Sequence, residues 1–330
     1  MKQYLSAKWI VSVLALIIFL MWILSIFWSV EPDLFDPEQI AQQQASAKNE
    51  QVVAGYTTTT SLIVVTETLL NKSGGYLSND VLPPSVMMDN MPSWEFGALE
   101  MIRDLALAMR KDFSRSQSQS IENSFLTKAQ PQFNIDSLSW IMPSAESKYQ
   151  EGIDKLYAYR TSLSDSKQQQ GQFYARADNL RDWLKQLEKR LGSLSQRLSA
   201  SVGQDRLDTN LAGDAQAIQS TPTANKLMDK TSWWKLDDTF YEARGASWAL
   251  IHFLKAVEVD FSDVLEKKNA KVSLQQIIRE LEATQESLWS PIVLNGSGFG
   301  MLANHSLVMA NYISRANAAL IELSELLNQG

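Results

Sequence analysis

Residues 173–198 read FYARADNLRDWLKQLEKRLGSLSQRL. Phe173, Ala177, Leu180, Leu184, Leu187, Leu191, Leu194 and Leu198 recur at alternating steps of four and three. That spacing lines one seam of a helix and is foreign to a strand, where the period is two. A shorter seam of the same kind precedes it: Tyr149, Ile153, Leu156, Tyr159 and Leu163, joined to the first by SDSKQQQG at 164–171. The pattern predicts a coiled-coil-like helical hairpin over 144–201. It packs antiparallel on itself, or offers Leu180, Leu184, Leu187 and Leu191 to an envelope protein partner or a second copy. An ordinary pair of bundle helices is the alternative.

Working outward, the 330 residues contain only 14 Gly and 9 Pro. So few breakers favour long helices. No alternation of strands with helices is visible, and no hairpin turn flanked by alternating residues. The expected fold is all-α: an N-terminal transmembrane helix, then a multi-helix bundle with a long helical hairpin.

The transmembrane expectation rests on Trp9 to Val30, WIVSVLALIIFLMWILSIFWSV, which carries no charge, Pro or Gly. About twenty residues at 1.5 Å rise cross the hydrocarbon core. Trp9 and Trp28 stand near its ends, where indoles favour the headgroup layer. Lys2 and Lys8 precede it; Glu31, Asp33, Asp36 and Glu38 follow. Positive-inside puts the N-terminus in the cytoplasm. A cleaved signal has a shorter apolar core and a small-x-small site just after it. Here the nearest one, Ala45-Ser46-Ala47, lies well past the run.

The expected organisation follows: a cytoplasmic tip (1–8), the membrane helix (9–30), a polar stalk (31–50), a helical region (51–201), a flexible linker or loop (202–228) and a C-terminal helical region (229–330) packed with 51–130. Within 54–71 the four threonines Thr57 to Thr60 leave a strand through 62–65 as a competing reading. Ser93 is read as the N-cap of a helix reaching Phe113. Further helices are expected from Asp237, from Val272 to Trp289, and from Met301 to Leu327.

Composition excludes several function classes. There is no Cys and there are only two His. Disulfides, thiolate metal sites and His-rich metal centres are therefore out. No cofactor is implied. Net charge is −7, and the first thirty residues hold two lysines and no acid, so the remainder is more acidic still. Such a body repels phosphate backbones, and nucleic acid is not an expected partner.

No catalytic constellation emerges. Asp237, Asp238, Glu242 and Arg244 cluster at a helix start, where acids suit capping and the dipole. Asn295 opens NGSGFG (295–300), a Gly-rich turn without the Lys-Ser/Thr ending of a phosphate loop. His305 falls on the apolar stripe of the last helix, as a core histidine or a buried base. These six are the ligand-binding candidates. His252, off the stripe of its helix, reads as a surface or interface residue. Ser164-x-x-Lys167 matches a penicillin-binding motif by spacing alone. Asp89 to Glu95 reads either as a binding rim or as a capped helix packed on a loop.

The phrases KSGGYLSNDVLPP, DNMPSWEFG, SRSQSQS, DDTFYEARGASWAL and SPIVLNGSGFGMLANHSL resemble those of a family of uncharacterised proteobacterial membrane proteins, a domain of unknown function. The resemblance implies a Gram-negative inner-membrane protein with a periplasmic body, and it brings no activity or site residue. The functional expectation is a non-enzymatic scaffold of the cell envelope. The alternative is a membrane-tethered enzyme or ligand-binding domain for cell-wall or lipid-linked material.

Overall fold

The computed structural model describes residues 7–116, 120–165, 171–207, 226–290, 292–298 and 300–329. Eleven α-helices are found among them: α1 (Ala7–Trp28), α2 (Pro37–Lys48), α3 (Tyr56–Asn71), α4 (Asn90–Ala108), α5 (Ser124–Phe133), α6 (Ala145–Ser164), α7 (Ala177–Ser199), α8 (Leu236–Asp260), α9 (Ser262–Lys267), α10 (Lys271–Glu282) and α11 (His305–Asn328). A small antiparallel ribbon, β1 (Gln204–Leu207) and β2 (Lys226–Asp229), pairs Gln204 with Asp229. The fold is an all-α bundle. α1 stands largely exposed and is long and apolar enough to cross a membrane.

α8 is the centre. Residues 243–254 are buried without a break. α4 crosses it so closely that a Cβ on Gly97 would sit 1.9 Å from the Glu242 carbonyl oxygen, and one on Gly245 1.9 Å from that of Trp94. Only glycine lets two helix backbones meet this way. Phe113, past the end of α4, stacks edge-on against Phe261 at the end of α8, so α4 and α8 run parallel.

The other directions follow from single contacts. Glu31, Asp33 and Phe35 meet Arg244, Trp248 and His252 in the same order. Two extended residues advance about 6.6 Å and four helical ones about 6 Å, so the segment leaving α1 tracks along α8. The N-terminus of α8 therefore lies at the end of the bundle where α1 joins it. α3 runs the opposite way: Thr58 hydrogen-bonds to Asp260, while Gly74, just past α3, packs on Trp28. α6 is antiparallel to α3, through Tyr157 to Glu67 and Arg160 to Thr60. α11 is parallel to α8, with His305 near Phe240 and Lys268 bonded to the Gln329 carbonyl. The N-termini of α4, α6, α8 and α11 thus share the α1 end.

Several expectations need correction. The 144–201 hairpin resolves into two helices with different neighbours. α7 lies along α11, pinned by Arg181 to Asn328 (2.9 Å) and Ser195 to the Ala310 carbonyl (3.2 Å), whereas α6 packs on α5 and α3. Residues 31–50 are no stalk: Asp36 caps α2, and Ala41 and Ala45 are buried. The expected linker contains the β1–β2 ribbon, and its residues 208–225 lie outside the described ones. α4 begins at Asn90 with Asp89 as cap, ahead of Ser93. The α10 helix ends at Glu282, before Trp289, and α11 starts at His305 with Asn304 as cap.

The four threonines favour helix for a visible reason. Thr59 bonds back to the Gly55 carbonyl, and the Thr58 hydroxyl reaches the Asp260 carboxylate. Thr60 accepts from Arg160, while the buried Thr57 hydroxyl finds no partner among the described residues, so the β-branched run is tolerated with three of its four hydroxyls satisfied inside the core.

Candidate functional site

One face of α8 carries Arg244, Trp248 and His252 at steps of four, and each grips the chain that follows α1. Arg244 Nε donates to Glu31 (2.8 Å), while its Nη1 donates to the carbonyls of Thr284 and Glu286, both at 2.9 Å. Trp248 Nε1 donates to the Asp33 carbonyl at 3.3 Å. His252 Nε2 accepts the Phe35 N–H at 3.0 Å, its Nδ1 lies 2.7 Å from the Trp248 carbonyl, and Phe35 stacks on the ring at 3.8 Å. His252 is fully buried, not a surface residue. Burial pushes its pKa down to about 3, so it is neutral and Nδ1 carries the proton.

Arg244 also explains why α10 stops early. Capturing two carbonyls turns 286–290 out of the helix and makes that segment one wall of a cleft of about 480 Å³. Phe240 and Arg244 form the second wall; His305, Val308, Met309 and Tyr312 of α11 form the third. His305 Nδ1 accepts the Leu294 N–H at 3.1 Å, and the His305 backbone N–H returns to the Leu294 carbonyl at 2.8 Å. Desolvation holds its pKa below the usual imidazole value. With Nδ1 accepting from Leu294, the ring carries its proton on Nε2, which makes no hydrogen bond among the described residues. The cleft is mostly apolar, with His305 Nε2–H among its few polar groups, and its size lies within the range of small-molecule sites, roughly 300–1,000 Å³.

Of the six ligand candidates, Arg244 and His305 line this cleft together. The others do not. Glu242 faces α7 and forms a bidentate pair with Arg197, at 2.7 Å for the Nη1 bond. Asp238 turns toward the start of α4; burial, then the nearby Asp89 and Asp237, raise its pKa. Asp237 accepts the Asp238 N–H. Asn295 accepts the Ser306 hydroxyl at 2.6 Å and shapes the loop before α11. Leu180, Leu184, Leu187 and Leu191 are all at most 1% exposed, inside the chain's own core, so they offer nothing to a partner. Ser166 and Lys167 of the penicillin-binding spacing lie outside the described residues.

Sequence reasoning missed His252 and the Glu95 network. Glu95, fully buried, accepts from Leu77 N–H (2.9 Å) and Ser78 N–H (2.8 Å) and pairs with Lys72. Asp89 to Glu95 is thus a capped helix start that holds the 72–80 loop. The available signal for His252 was its i+4 and i+8 register with Trp248 and Arg244.

The class this defines is an all-α bundle clasped to the segment that leaves an apolar N-terminal helix, with one apolar cleft beside that clasp. Residues 2–330 match the model of the family DUF2333, uncharacterised protein conserved in bacteria, and the chain belongs to that family. No curated protein and no solved structure matches it.

Proposed function

We propose that this chain is a membrane-anchored, non-enzymatic binding protein whose cleft takes an amphiphile, one apolar chain with a small acceptor head, from the outer leaflet of the membrane that α1 crosses. The observation that carries this reading is the cleft's place. It is built from the first turns of α8 and α11 and the 286–290 segment. Ser287 and Leu288 also border the depression that begins at Ser29 and Val30, directly past α1. Lys2 and Lys8, at the N-terminal side of the apolar run, and the acids after it support a body on the non-cytoplasmic side, in the periplasm for an inner-membrane protein. His305 Nε2–H supplies the donor for the head, and Arg244 holds the wall in place while neutralising Glu31.

The scaffold reading loses its main support because the α7 seam is internal. The catalytic reading loses Asp237, Asp238 and Glu242, none of which lines the cleft with His305. The test is photo-crosslinking of the full chain, in nanodiscs containing a phospholipid with a photoreactive acyl chain. Peptides covering 286–290 and 305–312 are expected to carry the label, and Val308→Trp, which fills the cleft from an exposed wall position, is expected to suppress it severalfold. Labelling of α1 alone, or cleft labelling indifferent to Val308→Trp, would sink the reading.

A further inference from the structure

Outside α1, the large hydrophobic side chains left exposed are concentrated in four loops. Leu82 and Met87 precede α4. Trp140 and Met142 precede α6. Trp233 and Trp234 precede α8, and Trp289 and Met301 precede α11. Their exposures include 80% for Met87, 90% for Met142, 78% for Trp234 and 99% for Trp289. Because those four helices all begin at the α1 end, every one of these loops is brought there. The opposite end, around the termini of α8 and α11, exposes Lys111, Arg176, Asp263, Glu266 and Lys267 instead. The large apolar side chains exposed at that end, Val52, Ile121 and Val272, stand singly in three separate segments.

We propose that the α1 end of the bundle is seated in the membrane interface, with these four loops immersed among the headgroups and upper acyl chains of the bilayer that α1 crosses. The inference rests on reading α1 as a membrane span. Three observations favour a lipid surface over a protein partner. The patch is continuous with α1: the loop leading to Trp289 borders Ser29 and Val30, and Gly74 packs on Trp28. α8 continues about 12 Å past Arg244 toward this end, which carries Trp233 and Trp234 beyond the level of Glu31. The tips are rich in Trp, whose ring suits the headgroup layer. Seating would fix the bundle upright and set the cleft mouth at lipid level. A body so acidic is held by apolar insertion, so added salt leaves the seating unchanged.

The absence of cysteine makes the test clean. Single probes are placed at Met87→Cys, Met142→Cys, Trp234→Cys and Met301→Cys, labelled with an environment-sensitive dye, in full-length protein reconstituted into phosphatidylethanolamine–phosphatidylcholine nanodiscs. Phe19→Cys in α1 and Lys267→Cys at the far end are the references. Lipids spin-labelled in the upper acyl chain should quench the four loop dyes, at a depth of about 5–10 Å, and leave Lys267→Cys bright. Quenching at Phe19→Cys with none at the loops would overturn the seating and leave the span standing; the same result with loop dyes shielded from water would point to a protein partner or a second copy. No quenching at Phe19→Cys would remove the span and the seating together. Each loop carries a second exposed position, such as Val86, Ile141, Trp233 or Leu302, should one variant fail to fold.

Discussion

α7 and α8 have similar lengths, 23 and 25 residues, and opposite burial. α7 buries one stripe of leucines and Trp183 and leaves its other face to charged groups. α8 is surrounded, and its buried stretch includes Arg244, Ser247 and His252. A helix buried on one side shows a strong period, and a helix buried all round shows a weak one. The louder pattern therefore marked ordinary packing against α11, while the quieter helix holds the centre of the molecule. A guanidinium and an imidazole inside α8 need partners. Arg244 and His252 find them in the chain that leaves α1, and so they record how the bundle is fastened to it.

The sharpest way to break this comparison is Gly245→Val. The Trp94 carbonyl oxygen lies only 1.9 Å from where the new Cβ would stand. α4 and α8 then cannot approach, and circular dichroism with size exclusion should find no cooperatively folded protein. A native-like melt would mean that the crossing is not as close as described. On α7, Leu187→Ala should lower stability by about 2–5 kcal/mol in denaturant titration. A neutral result would return the seam to the surface and revive the partner reading.

His252 sharpens the comparison through pH. Its folded pKa lies below the unfolded value of about 6.5. Below that value the unfolded chain takes up a proton that the folded chain refuses, so its contribution is present above pH 6.5 and drains away toward pH 3, by up to about 1.4 kcal/mol per pH unit. Asp260 acts with the opposite sign. Burial raises its pKa to about 6, so its contribution is full below the unfolded value near 3.8 and is lost as pH rises through 6. The two partly offset each other in mild acid. In His252→Gln, melts between pH 7 and 4.5 should show a smaller acid-side decline than the unsubstituted chain, with the contributions of His305, Asp238 and Asp260 left in place; an unchanged pH profile would mean His252 is not buried neutral.

The smallest effect is expected where α7 and α8 meet at the surface. Arg197 is 45% exposed on its side chain, so Glu242→Gln should cost only about 0.2–1 kcal/mol and leave lipid crosslinking at the cleft intact. A loss of crosslinking would restore Glu242 to the site.

The candidate site was half legible. Arg244 and His305 stood out as a charged residue and a histidine at helix starts, and both line the cleft. Asp237, Asp238 and Glu242 share that sequence neighbourhood, yet neighbouring helix residues point about 100° apart, and Asp238 and Glu242 face α4 and α7 instead. Trp289 gave no sign of being a wall, because its segment leaves the helix only when Arg244, some forty residues earlier in the chain, takes the carbonyls of Thr284 and Glu286.

By itself the sequence determined what depends on near neighbours: the helical period, the apolar length of α1, the absence of thiol chemistry and the acidic balance. The tertiary structure alone decided which seam faces inward, that residues 31–50 pack as part of the body, and that four distant apolar loops share one end. Those outcomes depend on helix direction and on which buried polar group finds which partner, and both are settled by contacts between residues far apart in the chain.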